Sequence, residues 1–334
     1  MKKFISILLA GAMAAAALTG CAKTPGGAAS GSTPLVLNEV AHSIFYAPQY
    51  AAIELGYFEE EGIDLTLVNG AGADKVMTAL ISGDAQIGFM GSEASIYVYQ
   101  EGSQDYAVNF AQLTQRAGNF LVGRQPEDNF KWENLKGKKV LGGRAGGMPQ
   151  MVFEYILKKH GLDPKTDLTI DQSINFGLTA AAFTSNDADY TVEFEPFATT
   201  LESEGSGTVV ASLGTESGYV PYTAYCARKS YMENNPELIQ KFTNAIQKGM
   251  DYVNSHSAEE IAKTIAPQFK ETPVDKIAII VGRYKDQDTW KDNLIFEKDS
   301  FDLLQDILDS AGELKARVAY SDLVITDYAE TAAK

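Results

Sequence analysis

From Leu35 onward, short apolar or β-branched runs alternate with segments whose apolar residues recur at helical spacing. That alternation predicts an α/β fold built on open sheets. Residues 35–40 read as a strand. Pro48 then opens a helix in the turn where its missing N–H costs nothing, and Gly56 closes it. Residues 63–68 form a second strand, 70–72 a Gly-Ala-Gly loop, and 74–82 a helix with Val76, Leu80 and Ile81 on one side. Further strands are expected at 86–89, 107–113 and 120–122, with a helix over 92–100.

A second cycle starts after Lys139. Residues 140–142 are a strand, 143–147 a glycine-rich loop, and 149–160 a helix stopped by Gly161. Strands at 168–170, 190–194 and 209–212 and a helix at 178–184 follow. The recurrence of strand, glycine loop and helix predicts two lobes, one inserted in the other. Residues 35–130 with 220–334 make lobe I, and 131–219 make lobe II. From Asn234 the pattern is helical. Asn235-Pro236-Glu237 supplies a cap, a first-turn proline and an acid beside the positive end of the helix dipole. Leu238, Phe242, Ala245, Gly249 and Val253 keep one face apolar. Ser257 with Glu260 forms a capping box, Thr272-Pro273 begins another helix, and Phe301, Leu304, Leu308 and Ala311 form the last stripe. These stripes read as helical cladding that returns to lobe I.

The first residues follow a different pattern. Lys2 and Lys3 precede an apolar run over 4–17, and Leu18-Thr19-Gly20-Cys21 has the form of a lipobox. The run is shorter than the roughly 20 residues of a membrane span, so 1–20 is expected to be a lipoprotein signal peptide. Cys21 would then carry the lipid (palmitate among its chains) and tether the protein to the cell membrane, facing outward or into a periplasm. Residues 21–34, rich in Gly, Ala, Ser, Thr and Pro, would be a flexible linker. A lipid anchor would be the chain's only contact with the membrane.

Composition narrows the chemistry. The net charge of −16 becomes −18 when Lys2 and Lys3 leave with the signal, which disfavours nucleic-acid partners. Cys226 has no cysteine partner besides Cys21, and its apolar strand-like setting predicts a buried, inert thiol. His42, His160 and His256 are far apart in sequence, so no metal is expected, and the motifs call for no cofactor.

Several segments, taken in order, resemble one family. Val40-Ala-His-Ser-Ile-Phe-Tyr-Ala-Pro-Gln-Tyr50 and Glu54-Leu-Gly-Tyr-Phe-Glu-Glu-Glu-Gly-Ile-Asp64 look like its opening. Ala79-Leu-Ile-Ser-Gly-Asp-Ala-Gln-Ile-Gly88, Leu135-Lys-Gly-Lys-Lys-Val140 and Glu195-Pro196 continue it. The resemblance, covering 35 to about 314, is to solute-binding proteins of ABC importers that take thiamine pyrimidine precursors, sulfonates and nitrate. It implies a two-lobed periplasmic-binding-protein-like fold hinged by two crossing strands, a small-molecule ligand held between the lobes, and an ABC permease with its ATPase as partner. A monomer is also expected from the resemblance. Eukaryotic relatives on this fold make the thiamine pyrimidine, using a cysteine-rich motif with an active-site histidine and lysine. This chain has no cysteine-rich run, so non-catalytic binding is the expectation. A solute-sensing lipoprotein without a transporter stays open.

The candidate contacts lie in loops after strands, where ligands of open α/β sheets sit. His42, Ser43, Phe45 and Tyr46 offer stacking and hydrogen bonds to a flat ring, or else Phe45 and Tyr46 form a packed hydrophobic lip. Gly91, Ser92 and Glu93 offer free amides at a helix start, or a plain cap. The loop 69–74 is similar. Arg144 and Gly146 lie in a glycine loop that could hold an anion, or Arg144 points to solvent. Gln115 and Arg116 near the hinge, Asn175 and Phe176 before a lobe II helix, and Tyr222 complete the set. Strand alternation puts Glu193 and Glu195 on one face. A carboxylate in the cleft would pair with an amino group or ring N–H and favour an aminopyrimidine. Arg144 and Arg116 converging there, with the glutamates turned away, would instead favour a sulfonate or nitrate. A riboflavin-type ligand is a further alternative.

Overall fold

A computed structural model describes residues 31–174 and 177–334, with Ser32–Lys334 forming one compact unit. The signal peptide, Cys21, most of the 21–34 segment, and Asn175 with Phe176 lie outside the described residues. The architecture is α/β with two open five-stranded sheets and flanking helices.

The first sheet has the order β2-β1-β3-β10-β4, from β1 (Thr33–Glu39), β2 (Ile63–Asn69), β3 (Ile87–Met90), β4 (Ala107–Thr114) and β10 (Thr223–Arg228). The second has the order β7-β6-β8-β5-β9, from β5 (Phe120–Gly123), β6 (Lys139–Leu141), β7 (Thr169–Asp171), β8 (Tyr190–Glu193) and β9 (Thr208–Ser212). The two sheets share one plan. Three parallel strands are joined through helices, and the fourth position is filled by an antiparallel strand just after the chain crosses over. The chain therefore crosses twice, through 115–119 and through 213–222. β3, β4, β5 and β8 are buried along their whole length, which explains their nearly continuous apolar runs.

Two boundaries differ from the sequence reading. The strand at 120–122 was expected in lobe I but pairs on both sides within the second sheet. Only five residues separate it from β4, a connection short enough for a hairpin, and nothing in the local pattern marks the change of sheet. Thr33 and Pro34, expected in the linker, belong to β1. Pro34 is tolerated there because β3 reaches only Leu37–Glu39, so β1 has one strand neighbour at that level.

The helix Pro236–Ser255 packs on the helix Ala47–Glu54, with Ile239 rather than Leu238 as its first buried apolar residue. Gly249 sits at the crossing, where a Cβ would lie 2.2 Å from the Pro48 carbonyl oxygen. The expected capping box at Ser257 and Glu260 forms. The cladding does not return to the first lobe alone. The helix Lys298–Ala311 packs against Met148–Lys159 beside the second sheet, and Lys158 Nζ donates to Ser310 Oγ (3.0 Å). Cys226 is buried in a small cluster with Val76, Leu80 and Met90, and burial pushes its thiol up to about 12. That thiol is inert at neutral pH.

Candidate functional site

A cleft of about 510 Å³ opens between the two sheets. Its first wall consists of loops after parallel strands: Val40, Ala41 and Ser43 after β1, Ala71 and Gly72 after β2, and Gly91 after β3. The second wall repeats the arrangement, with Gly143, Arg144 and Gly147 after β6, Ile174 and Gly177 after β7, and Phe194 and Phe197 after β8. Strand carboxyl ends and helix starts thus converge from both sides, as open α/β sheets require of a ligand site. The crossing segments close the floor with Asn119 and Tyr222, and the Tyr222 hydroxyl donates to Asn119 Oδ1 (2.6 Å). Tyr46, Phe194, Phe197 and Tyr222 give the cleft flat apolar surfaces. Burial raises the Tyr46 and Tyr222 hydroxyls above their ordinary values, so both remain neutral.

Two buried carboxylates face this space, one from each wall. Glu93 starts the helix Glu93–Gln100 and is 4% exposed. Its Oε2 is buried and accepts no hydrogen bond from the described residues. Burial pushes Glu93 up to about 7, against the opposing pull of its own backbone N–H and of the Arg144 charge. Glu193 ends β8 and is 1% exposed. Thr191 Oγ1 donates to its Oε1 (2.6 Å) and Thr179 Oγ1 to its Oε2 (2.9 Å). Burial also pushes Glu193 up to about 7, outweighing those two hydroxyls. Lys75, Asp74 and Arg144 line the cleft as well, but Arg144 turns to Asp74 (3.5 Å) on exposed surface and does not ion-pair with Glu93.

Of the residues singled out in the sequence, Ser43, Tyr46, Gly91, Glu93, Arg144, Glu193 and Tyr222 meet at the cleft. Asn175 and Phe176 lie outside the described residues, and the other described candidates serve the scaffold. His42 turns away: its Nδ1 bonds Glu39 Oε1 (2.8 Å) and its Nε2 bonds the Gln268 carbonyl (2.9 Å). The Glu39 bond raises His42 above 6.5. Phe45 is fully buried behind the cleft, against Phe194, Tyr222 and Tyr284, so the packed-lip alternative holds for it. Ser92 Oγ is spent on the Pro221 carbonyl. Gln115 Nε2 donates to the Asp288 carbonyl (3.1 Å), and Arg116 stacks on Tyr219 and donates to the Gly214 carbonyl. The Gly146 N–H donates to Gln150 Oε1, outside the cleft lining.

Glu195 corrects the alternation argument. β8 ends at Glu193, so period two does not carry on to Glu195. The Glu195 carboxylate is buried instead against Arg283 Nη1 (2.8 Å) and the Thr199 N–H and hydroxyl (2.9 Å each). Asn119, Thr179 and Phe197 line the cleft without having been nominated. Thr179 carried a readable signal as the first residue of the helix Thr179–Ser185. Asn119 had none, because its crossing role depends on which sheet receives β5.

The model of the NMT1/THI5-like family matches residues 44–260. This chain belongs to that family. YtlA of Bacillus subtilis, provisionally named as a binding protein, is 45% identical over 298 residues, 89% of each chain. A 4-amino-5-hydroxymethyl-2-methylpyrimidine phosphate synthase of Saccharomyces cerevisiae, THI11, is 24% identical over 226 residues, 63% of each chain. Among solved structures, the alkanesulfonate-binding protein SsuA from Xanthomonas axonopodis pv. citri, bound to MOPS, superposes with a TM-score of 0.68 at 17% identity, covering 88% of this chain and 98% of SsuA. That likeness establishes the periplasmic-binding-protein fold. The family match covers β2 through β10 and so includes both crossings and most of the cleft.

Proposed function

We propose that this protein is the extracytoplasmic solute-binding component of an ABC importer and captures a small aromatic nitrogen heterocycle bearing an amino group. A thiamine-pyrimidine-like compound is the model ligand. The observation that carries the reading is Glu193, a buried carboxylate without a cationic partner among the described residues, facing a cleft walled by Tyr46, Phe194, Phe197 and Tyr222. A carboxylate so placed accepts hydrogen bonds from an amino group or ring N–H, while flat side chains cover the ring faces. A sulfonate or nitrate needs donors and would meet repulsion from Glu193 and Glu93. The arrangement that would favour such an anion is absent among the described residues, because Arg116 faces Tyr219 and Gly214.

Binding without catalysis accords with this cleft. Cys226 is buried away from it and His42 turns its ring from it. Ligand held by both walls would shift the population toward closure, which a permease can read. Transport at the outer face of a membrane also accords with the lipobox at Cys21.

The test is a thermal-shift panel of aminopyrimidines, thiamine, riboflavin, alkanesulfonates and nitrate. A ligand at one hundred times its dissociation constant adds about 2.7 kcal/mol of stability. An upward shift with an aminopyrimidine, absent with sulfonates and nitrate, is expected. A shift with sulfonate or nitrate alone would overturn the heterocycle reading.

A further inference from the structure

Glu193 satisfies the recognition described so far, yet the first wall carries a second carboxylate that the reading does not use. Glu93 is 4% exposed, its Oε2 has no donor among the described residues, and it lines the same cleft from the opposite side. The backbone makes room for it. A Cβ on Gly91 would lie 2.1 Å from Glu93 Oε2 and 2.6 Å from Oε1, so any larger residue there would displace the carboxylate from its present position. Arg144, across the cleft on the second wall, is turned to Asp74, and Lys75, which also lines the cleft, makes no ion pair with Glu93. Buried carboxylates are normally paired or hydrogen-bonded, and one left with a free oxygen facing a cavity is costly without a ligand.

We infer that Glu93 forms a second polar subsite, which takes a cationic nitrogen substituent on the ligand, a primary ammonium or an amidinium. This deepens the proposed function and rests on it. The ring amino edge faces Glu193 on one wall, and a separate charged substituent reaches Glu93 on the other. Such a ligand bridges the lobes through two charge-assisted bonds, which form together only when the cleft is closed around it. Specificity then follows from the unmet group: an analogue lacking the second nitrogen leaves Glu93 buried and unpaired.

The test is calorimetric titration of the protein with 4-aminopyrimidine and with 4-amino-5-(aminomethyl)pyrimidine. The aminomethyl compound is expected to bind at least tenfold tighter. That ratio is expected to collapse toward unity in Glu93→Gln and, independently, in Gly91→Ala, whose methyl displaces the carboxylate. Equal affinities in the wild type, or a ratio that survives in both variants, would overturn the subsite. Benzylamine, an aromatic cation without the pyrimidine edge, separates the two claims. If neither pyrimidine binds but benzylamine raises the melting temperature of the wild type and not of Glu93→Gln, the heterocycle reading falls and the cation subsite stands. If benzylamine shifts neither protein and neither pyrimidine binds, both fall.

Discussion

The two cleft carboxylates make stability depend on pH in a way that can be isolated. In the folded protein Glu193 titrates at about 7, against an ordinary value of 4.5. Between those values the folded state keeps a proton that the unfolded chain has already lost, so stability falls as pH rises from 4.5 to 7 and then levels off. The difference amounts to roughly 3 kcal/mol for this one group. Glu93 has the same values and the same cause, so it adds a decline of similar size over the same window. Glu193→Gln removes one of these declines while keeping an acceptor for one of the two threonine hydroxyls. The assay is urea unfolding of the ligand-free wild type and Glu193→Gln at pH 4.5 and 7.5. Other titrating groups act in both proteins and cancel in the comparison. The wild type is expected to lose about 3 kcal/mol more than the variant between the two pH values. Equal losses would mean that Glu193 is solvated or already paired, and would remove the electrostatic basis of the site.

Other consequences can be measured directly. Glu195→Ala leaves Arg283 with Glu202 as its remaining carboxylate and removes the acceptor of the buried Thr199 N–H, so urea unfolding should show a loss of about 1–3 kcal/mol, without involving the cleft carboxylates. Gly249→Ala drives a methyl into the Pro48 carbonyl and is expected to cost 1–3 kcal/mol, roughly, read as a lowered denaturation midpoint. His42, held above 6.5 chiefly by its bond to Glu39, contributes stability that is complete below 6.5 and is lost as pH rises through its raised value. Unfolding of His42→Asn should therefore lack that decline. Phe45→Ala should lower stability by about 3–5 kcal/mol, because Phe45 fills the space between Phe194, Tyr222 and Tyr284.

Much of the fold could be read from local pattern because its rules are local. Pro48 and the Ser257–Glu260 box act within one turn of chain, and each stands where the spacing placed it. The exchange of strands between sheets is not a local property. Phe120–Gly123 and Thr223–Arg228 look like any buried strand, and only pairing reveals that each belongs beyond a crossing. The site divides in the same manner. Loops after parallel strands were identifiable by position, which brought Ser43, Gly91, Arg144 and Glu193 to one cleft. Side-chain direction was not. His42 and Glu195 belong to segments beside the cleft, but Glu39 draws the first away and Arg283 the second. Glu39 stands three residues before His42, whereas Arg283 is far from Glu195 in sequence, so the second competition left no trace in the local spacing. Glu93 was nominated for the free amides of its helix start, yet the structure makes its carboxylate the group facing the cleft.

The measurement that bears most directly on the central claim is calorimetric titration of the wild type and Glu193→Gln at pH 7.5 with an aminopyrimidine and, separately, with ethanesulfonate. The account predicts saturable heat with the aminopyrimidine, affinity at least tenfold weaker in Glu193→Gln, and no binding of ethanesulfonate. Saturable binding of ethanesulfonate with none of the aminopyrimidine, or an aminopyrimidine affinity unchanged by Glu193→Gln, would contradict it.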